Sequence, residues 1–195
     1  MDPSSGVKFP GTFDGIRNAK SLGKVDESLF NVIKADDDFF IKDINVHALK
    51  ISHDANEPCA YRVNGEKASA AVITDLGVYN YHLLDALQGL DGMVLEANHD
   101  LRMLEVGPYP YYLKRRIAGD KGHLSNEASA HMLDDLIHER LKNVFLGHLS
   151  KENNMPPLAL ETVRMEVEMS PSRWSTGQFN LSVAPRDHVS ELVHL

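Results

Sequence analysis

Cysteine is almost absent. Cys59 stands alone in 195 residues, so no internal disulfide can form, and a reducing cytoplasmic setting is the simplest one for such a chain. Long apolar runs are missing as well. Nothing approaches the ~18 consecutive apolar residues of a membrane-spanning helix, so no membrane partner is expected. The opening "MDPSSGVKFPGTFDG" lacks the basic-then-apolar order of a secretory signal. Positive charge is in the minority: 20 Lys and Arg against 28 Asp and Glu give a net charge of −8. That balance argues against a general polyanion binder but leaves room for a local basic patch. Short metal-ligand motifs of the HxH, HExxH or CxxC type are absent, and so are fixed-period repeats and low-complexity segments.

What is present suits one globular domain: 43% of the residues are apolar, enough for a real core at this length. Residues 1–10 read as a disordered start and 11–195 as the folded part. "DFFIKDINVHALKIS" (38–52) predicts a hairpin turning at "KD", and "CAYRVNGEKASAAVIT" (59–74) a second one around Asn64-Gly65. "NYHLLDALQGL" (80–90) fits a short helix ended by Gly89. "GMVLEAN" (92–98) and "NVFLG" (143–147) read as buried strands, and "FNLSVAPR" (179–186) as a last strand. "SNEASAHMLDDLIHERLK" (125–142) is the clearest helix. Ala128, Met132, Leu133, Leu136, Ile137 and Leu141 share one face, and Ser125 or Asn126 is the cap. "NNMPPLALETVRMEVEM" (153–169) opens another helix behind its Asn and Pro residues. Strands and helices interleave, which predicts an α/β layered domain.

The strand ends carry the chemistry. "VHALKIS" runs into His53-Asp54, "SAAVIT" into Asp75, "GMVLEAN" into His99-Asp100, and "NVFLG" into His148. Layered α/β proteins bind ligands where strand ends and loops converge, and imidazole with carboxylate suits zinc, manganese or iron. A polar residue that merely caps a strand end is an equally good reading of each one alone. His138, His188 and His194 read as incidental surface histidines, and so does His47. A basic stretch, "LKRRIAGDKG" (113–122), follows "GPYPYY". Tyr109, Tyr111 and Tyr112 beside Lys114, Arg115 and Arg116 pair stacking rings with cations, which suits a nucleic-acid strand. Tyrosines packing a Pro-containing loop onto the core is the competing reading. The tetrapeptide GHLS occurs at 122–125 and at 147–150. The first copy opens a helix and places His123 beside basic residues, as part of an anion site or simply of a cap; the second follows a buried strand and ends it with His148.

"ISHDANEPCAYRV", "TDLG", "LEANHDLRML", "GPYPYYLKRRI", "GDKGHLSNE" and "LGHLSKENN", in this order, resemble the YycJ/WalJ/VicX branch of the metallo-β-lactamase superfamily. The resemblance covers about residues 10–195. It implies an αββα sandwich with a two-metal site (zinc or manganese) at one edge, and a hydrolase using a metal-bound hydroxide on the phosphodiesters of DNA, an exonuclease with a place in DNA repair. Carried over, it implies His53 as a ligand of one metal, Asp75 as the bridging carboxylate and His148 as a ligand of the other. Asp75 and His148 would thereby be catalytic. His99, Lys114, Arg115, Arg116, His123 and Asn154 would lie on the substrate side. The superfamily's HxHxDH motif has no counterpart among the 52 residues before His53, which hold a single histidine, His47. The expected form is therefore an N-terminally truncated sandwich with weak or incomplete metal binding, an exposed sheet edge and an uncovered apolar face. A non-catalytic remnant that at most binds DNA or a partner is the alternative, and the same fold acting on an ester or thioester is another.

Overall fold

Seven short segments, most of them predominantly apolar, pair into one mixed sheet, and three helices cover a single face of it. The computed structural model describes residues 9–12, 30–172 and 174–195. Expectations for residues 1–8 and 13–29 fall outside the described residues. The strands are β1 (Phe9–Thr12), β2 (Phe30–Ile33), β3 (Asp38–Ile41), β4 (Ile44–Lys50), β5 (Cys59–Asn64), β6 (Ser69–Ile73), β7 (Gly92–Glu96), β8 (Asn143–Gly147) and β9 (Asn180–Val183). The helices are α1 (Tyr81–Ala86), α2 (Leu101–Val106), α3 (Tyr111–Ile117), α4 (Asn126–Leu136) and α5 (Pro156–Met169). β1 and β2 form a separate parallel pair; the large sheet has the order β3-β4-β5-β6-β7-β8-β9.

Pairing is antiparallel from β3 to β6 and parallel from β6 to β9. Two antiparallel steps separate β4 from β6, so these strands point the same way, and β4, β6, β7, β8 and β9 all end at one edge. The alternation that β-structure imposes sends Leu49, Ala60, Ala71, Ile73, Leu95, Val144 and Leu146 to the helix-covered face, where all are buried. Met132, Leu133 and Leu136 of α4 and Ala159, Val163 and Val167 of α5 close the core over them. On the opposite face the register sets Val72, Val94 and Phe145 side by side, with Val72 45% exposed. The β3 margin carries Phe40 at 69% exposure.

Several elements differ from the pattern expected. The 59–74 hairpin closes over four residues, with the Gly65 N–H donating to Ala68 O at 2.9 Å, rather than over a tight Asn-Gly turn. The α4 helix stops at Leu136 because Ile137 turns to extended backbone. Leu141 still reaches the core after a non-helical step. His138 makes that step possible: its Nε2 donates to Leu90 O at 2.8 Å, so it is a tether rather than an incidental surface residue. No described helix is long and apolar enough to cross a membrane.

Candidate metal centre

Three loops leave the common edge and are stitched to one another. Gly77 of "TDLG" donates its N–H to Ser52 O at 2.9 Å, and Ser52 Oγ donates to Asp120 O at 2.7 Å. A Cβ on Gly77 would run into the Asp120 backbone, and one on Gly122 would overlap the Ile117 carbonyl oxygen. Only glycine lets these backbones approach so closely. The contacts bring the loops after β4 and β6 against the stretch before α4, and His148 joins from the end of β8. Asp75 and His148 both sit in the left-handed region, at φ 58° and 57°. Non-glycine residues are rarely held there, and such strain collects where side-chain direction matters.

At the centre, Asp75 Oδ1 lies 3.5 Å from His53 Nε2 and 3.8 Å from His148 Nε2. Two ligands on one tetrahedral zinc, each at ~2.1 Å, stand ~3.4 Å apart, so each pair fits a shared ion. Each imidazole is turned by an acceptor on its other nitrogen. His53 Nδ1 donates to Gly122 O at 3.0 Å, and His148 Nδ1 donates to Glu96 Oε1 at 2.6 Å. Both therefore present Nε2 to Asp75. The sets of three donor groups that close into one cluster among the described residues are His53, Asp75 and His123, and Glu96, His123 and His148. Asp75 Oδ1 thus lies within 4 Å of two imidazole nitrogens at once.

Glu96 is the residue the sequence pattern missed. It ends β7, is fully buried, and accepts from the loops after β6 and β8 and from the stretch before α4. Oε1 receives His123 Nδ1 at 2.9 Å, His148 Nδ1 at 2.6 Å and the Asp75 N–H at 3.3 Å. Oε2 receives the N–H groups of Leu76 at 2.8 Å and Leu124 at 3.2 Å. Burial alone would raise its pKa, but the hydrogen bonds from His123 and His148 outweigh burial and hold it at about 2. With its oxygens so engaged, Glu96 serves better as the anchor of two imidazoles than as a metal ligand. One signal was legible: a lone carboxylate closing an apolar strand must find partners if buried. The pKa of His148 is raised, chiefly by its hydrogen bond to Glu96, against burial and the Arg186 charge. The ring of His123 lies 4.9 Å from that of His53 and 5.2 Å from that of His148.

The remaining sequence-derived residues are placed as follows. His99 is 1% exposed, and neither ring nitrogen has a protein partner; burial, then the His123 charge, lowers its pKa to about 4. Asp100 caps α2, accepting the Met103 N–H at 2.7 Å. Asn154 is buried, and its amide is filled by Ala97 O, Asn126 and the Met155 N–H. Arg116 donates to Asp54, the neighbour of His53, at 2.5 Å, and Lys114 donates to Glu105 O at 2.6 Å. Arg115 lies over the Tyr111 ring, 6.0 Å from its centroid. Tyr111 and Tyr112 are 75% and 74% exposed, so these tyrosines do not pack a loop onto the core.

No protein-family model matches the chain. It is 38% identical over 152 residues to the exodeoxyribonuclease WalJ of Streptococcus pneumoniae, a stretch covering 78% of this chain and 56% of that protein. It is 40% identical over 126 residues to the exodeoxyribonuclease YycJ of Bacillus anthracis, covering 65% of this chain and 48% of that protein. The chain spans about half the length of the curated relatives it matches. Among solved structures it resembles the metallo-β-lactamase fold protein YhfI of Bacillus subtilis (TM-score 0.57, 13% identity, 90% of this chain and 61% of that one). It also resembles a diphosphatase of the PhnP family (TM-score 0.55, 17% identity, 92% and 57%). The fold is that of the metallo-β-lactamase proteins.

Proposed function

We propose that this chain, a homologue of the WalJ and YycJ proteins within the metallo-β-lactamase superfamily, is a metal-dependent hydrolase whose substrate is the phosphodiester backbone of DNA, cleaved as an exonuclease. The reading rests on Asp75 Oδ1 lying 3.5 Å and 3.8 Å from the Nε2 atoms of His53 and His148. His53 and His148 would each hold one divalent ion, zinc or manganese, with the Asp75 carboxylate shared between them. Such an ion supplies Lewis acidity and an activated water near neutral pH. Glu96 keeps the Nδ1 protons of His123 and His148 in place, and His123 would lie on the substrate side of the same centre. Arg115 with Tyr111 and Tyr112 offers a charged, stacking surface to the strand, whereas His99 and Asn154 support the loops from within. Residues 11–195 would act as one partial metallo-β-lactamase domain in a cytoplasmic setting.

The ligand count favours a second reading for this polypeptide. With His123 engaged through Nδ1 with Glu96, Asp75 and one histidine on either side give two protein ligands per ion, fewer than the three of an ordinary catalytic zinc; only on the His53 side does His123 stand close enough to add a third. Weak metal binding is the expectation, and a non-catalytic DNA-binding chain is the alternative. The test is metal content after zinc or manganese loading, run beside a nuclease assay on end-labelled DNA with native chain and Asp75→Asn. Metal-dependent loss of terminal nucleotides that disappears in Asp75→Asn supports the first reading. DNA binding without cleavage at any metal concentration supports the second.

A further inference from the structure

Most of the cations that the sequence pattern puts forward on the His53 side are already engaged, Arg116 with Asp54 and Lys114 with the Glu105 carbonyl. The opposite flank of the centre is different. Between the loop after β8 and the tail after β9 lies a cleft of about 670 Å³. His148 is part of its lining, Lys151 and Arg186 are its cations, and Asp187 is the one carboxylate of that lining. Arg186 Nη2 donates to the carbonyl oxygen of Leu149, the residue after His148. That bond fixes the guanidinium beside the imidazole and leaves its other N–H groups to point elsewhere. Among the described residues neither Lys151 nor Arg186 forms an ion pair. Two cations outside any ion pair, one of them anchored, in a cleft of a chain with net charge −8 are placed for an anion that arrives at the metal centre.

We infer that Lys151 and Arg186 form a phosphate subsite that holds the backbone of single-stranded DNA on the His148 side of the centre. The inference rests on the DNA reading proposed above and assigns the cleft to it. A guanidinium held by one carbonyl keeps the planar fork that matches two phosphate oxygens, and Lys151 adds a mobile charge. A strand would then cross the sheet edge from the Arg115 and Tyr112 surface, over Asp75, to Arg186, with cations on both flanks of the reacting bond.

The test is binding of a fluorescein-labelled single-stranded oligodeoxynucleotide to the native chain in EDTA, by anisotropy across a salt series. EDTA separates binding from cleavage. Each phosphate contact on a single strand contributes about 0.7 to the slope of log affinity against log salt. Lys151→Gln and Arg186→Gln should each reduce the slope by about 0.7, and the double variant by about 1.4. Arg186→Lys should keep the slope but bind more weakly, since charge remains and the fork is lost. Arg164→Gln, a remote exposed cation on α5, should change nothing. A slope unchanged in the double variant, or lowered equally by Arg164→Gln, overturns this inference and leaves the DNA reading standing. A native chain that binds no DNA overturns both.

Discussion

Glu96 shows how one buried residue governs several exposed ones. Its oxygens gather two imidazoles and three backbone N–H groups, so Glu96→Gln should disturb both histidine tautomers without emptying the core. Loss of such a partner behind a metal-ligating histidine lowers metal affinity about 10–100-fold; zinc titration against a competing chelator would measure it, with far-UV circular dichroism unchanged. His99 makes a separate prediction through pH. Its pKa of about 4 lies below the ordinary 6.5, first because it is buried and next because of the His123 charge. The unfolded chain therefore takes up a proton that the native one refuses. Stability from this group is complete above pH 6.5 and falls as the pH drops toward 4, by on the order of 2 kcal/mol at pH 5. Denaturant melts at pH 7 and pH 5 should show that loss, and His99→Gln should flatten it. Glu96, with its pKa of about 2 against 4.5, adds its own loss only at lower pH.

At the scale of elements, the site is an assembly of loops held by glycine contacts. Gly122 touches the end of α3 where no Cβ fits, its carbonyl oxygen turns His53, and the next residue is His123. Gly122→Ala should cost about 1–3 kcal/mol, the usual range for overpacking, and should weaken metal binding by displacing His53. A thermal melt combined with the zinc titration would register both. An equal substitution at Gly119, where a Cβ meets Arg115 O at 3.0 Å, should be milder. The two GHLS copies are separated by this criterion. In the first, glycine secures loop packing and the histidine rests on Glu96. In the second, Gly147 closes β8 and His148 turns through a left-handed backbone toward Asp75. Periodicity located β4, β6, β7 and β8 and the polar residues that follow them. It overran α4, because Leu141 keeps the helical apolar spacing although a backbone turn at Ile137 and the His138 tether deliver it to the core.

For the whole molecule, the core beneath α4 and α5 is built apart from the centre, so a chelator should leave the secondary structure intact. Added zinc should raise the melting temperature only as far as mass action allows, about 2.7 kcal/mol at a hundredfold excess over the dissociation constant. A differential scanning fluorimetry series against zinc concentration would give that constant, and a millimolar value would agree with the incomplete ligand set. By itself the sequence determined the α/β class, the strands β4 to β8 and the polar groups that end them, because apolar periodicity and the polar residues ending each strand are local properties; the resemblance then singled out His53, Asp75 and His148, whereas β1 and β2 were not foreseen. Only the tertiary structure decided that those ends share one edge, since this depends on which strands pair across long separations and in which direction. It also decided the part of Glu96. Within "GMVLEAN" a carboxylate looks like any strand end, and its role exists only once His123, His148 and three backbone N–H groups have been folded around it.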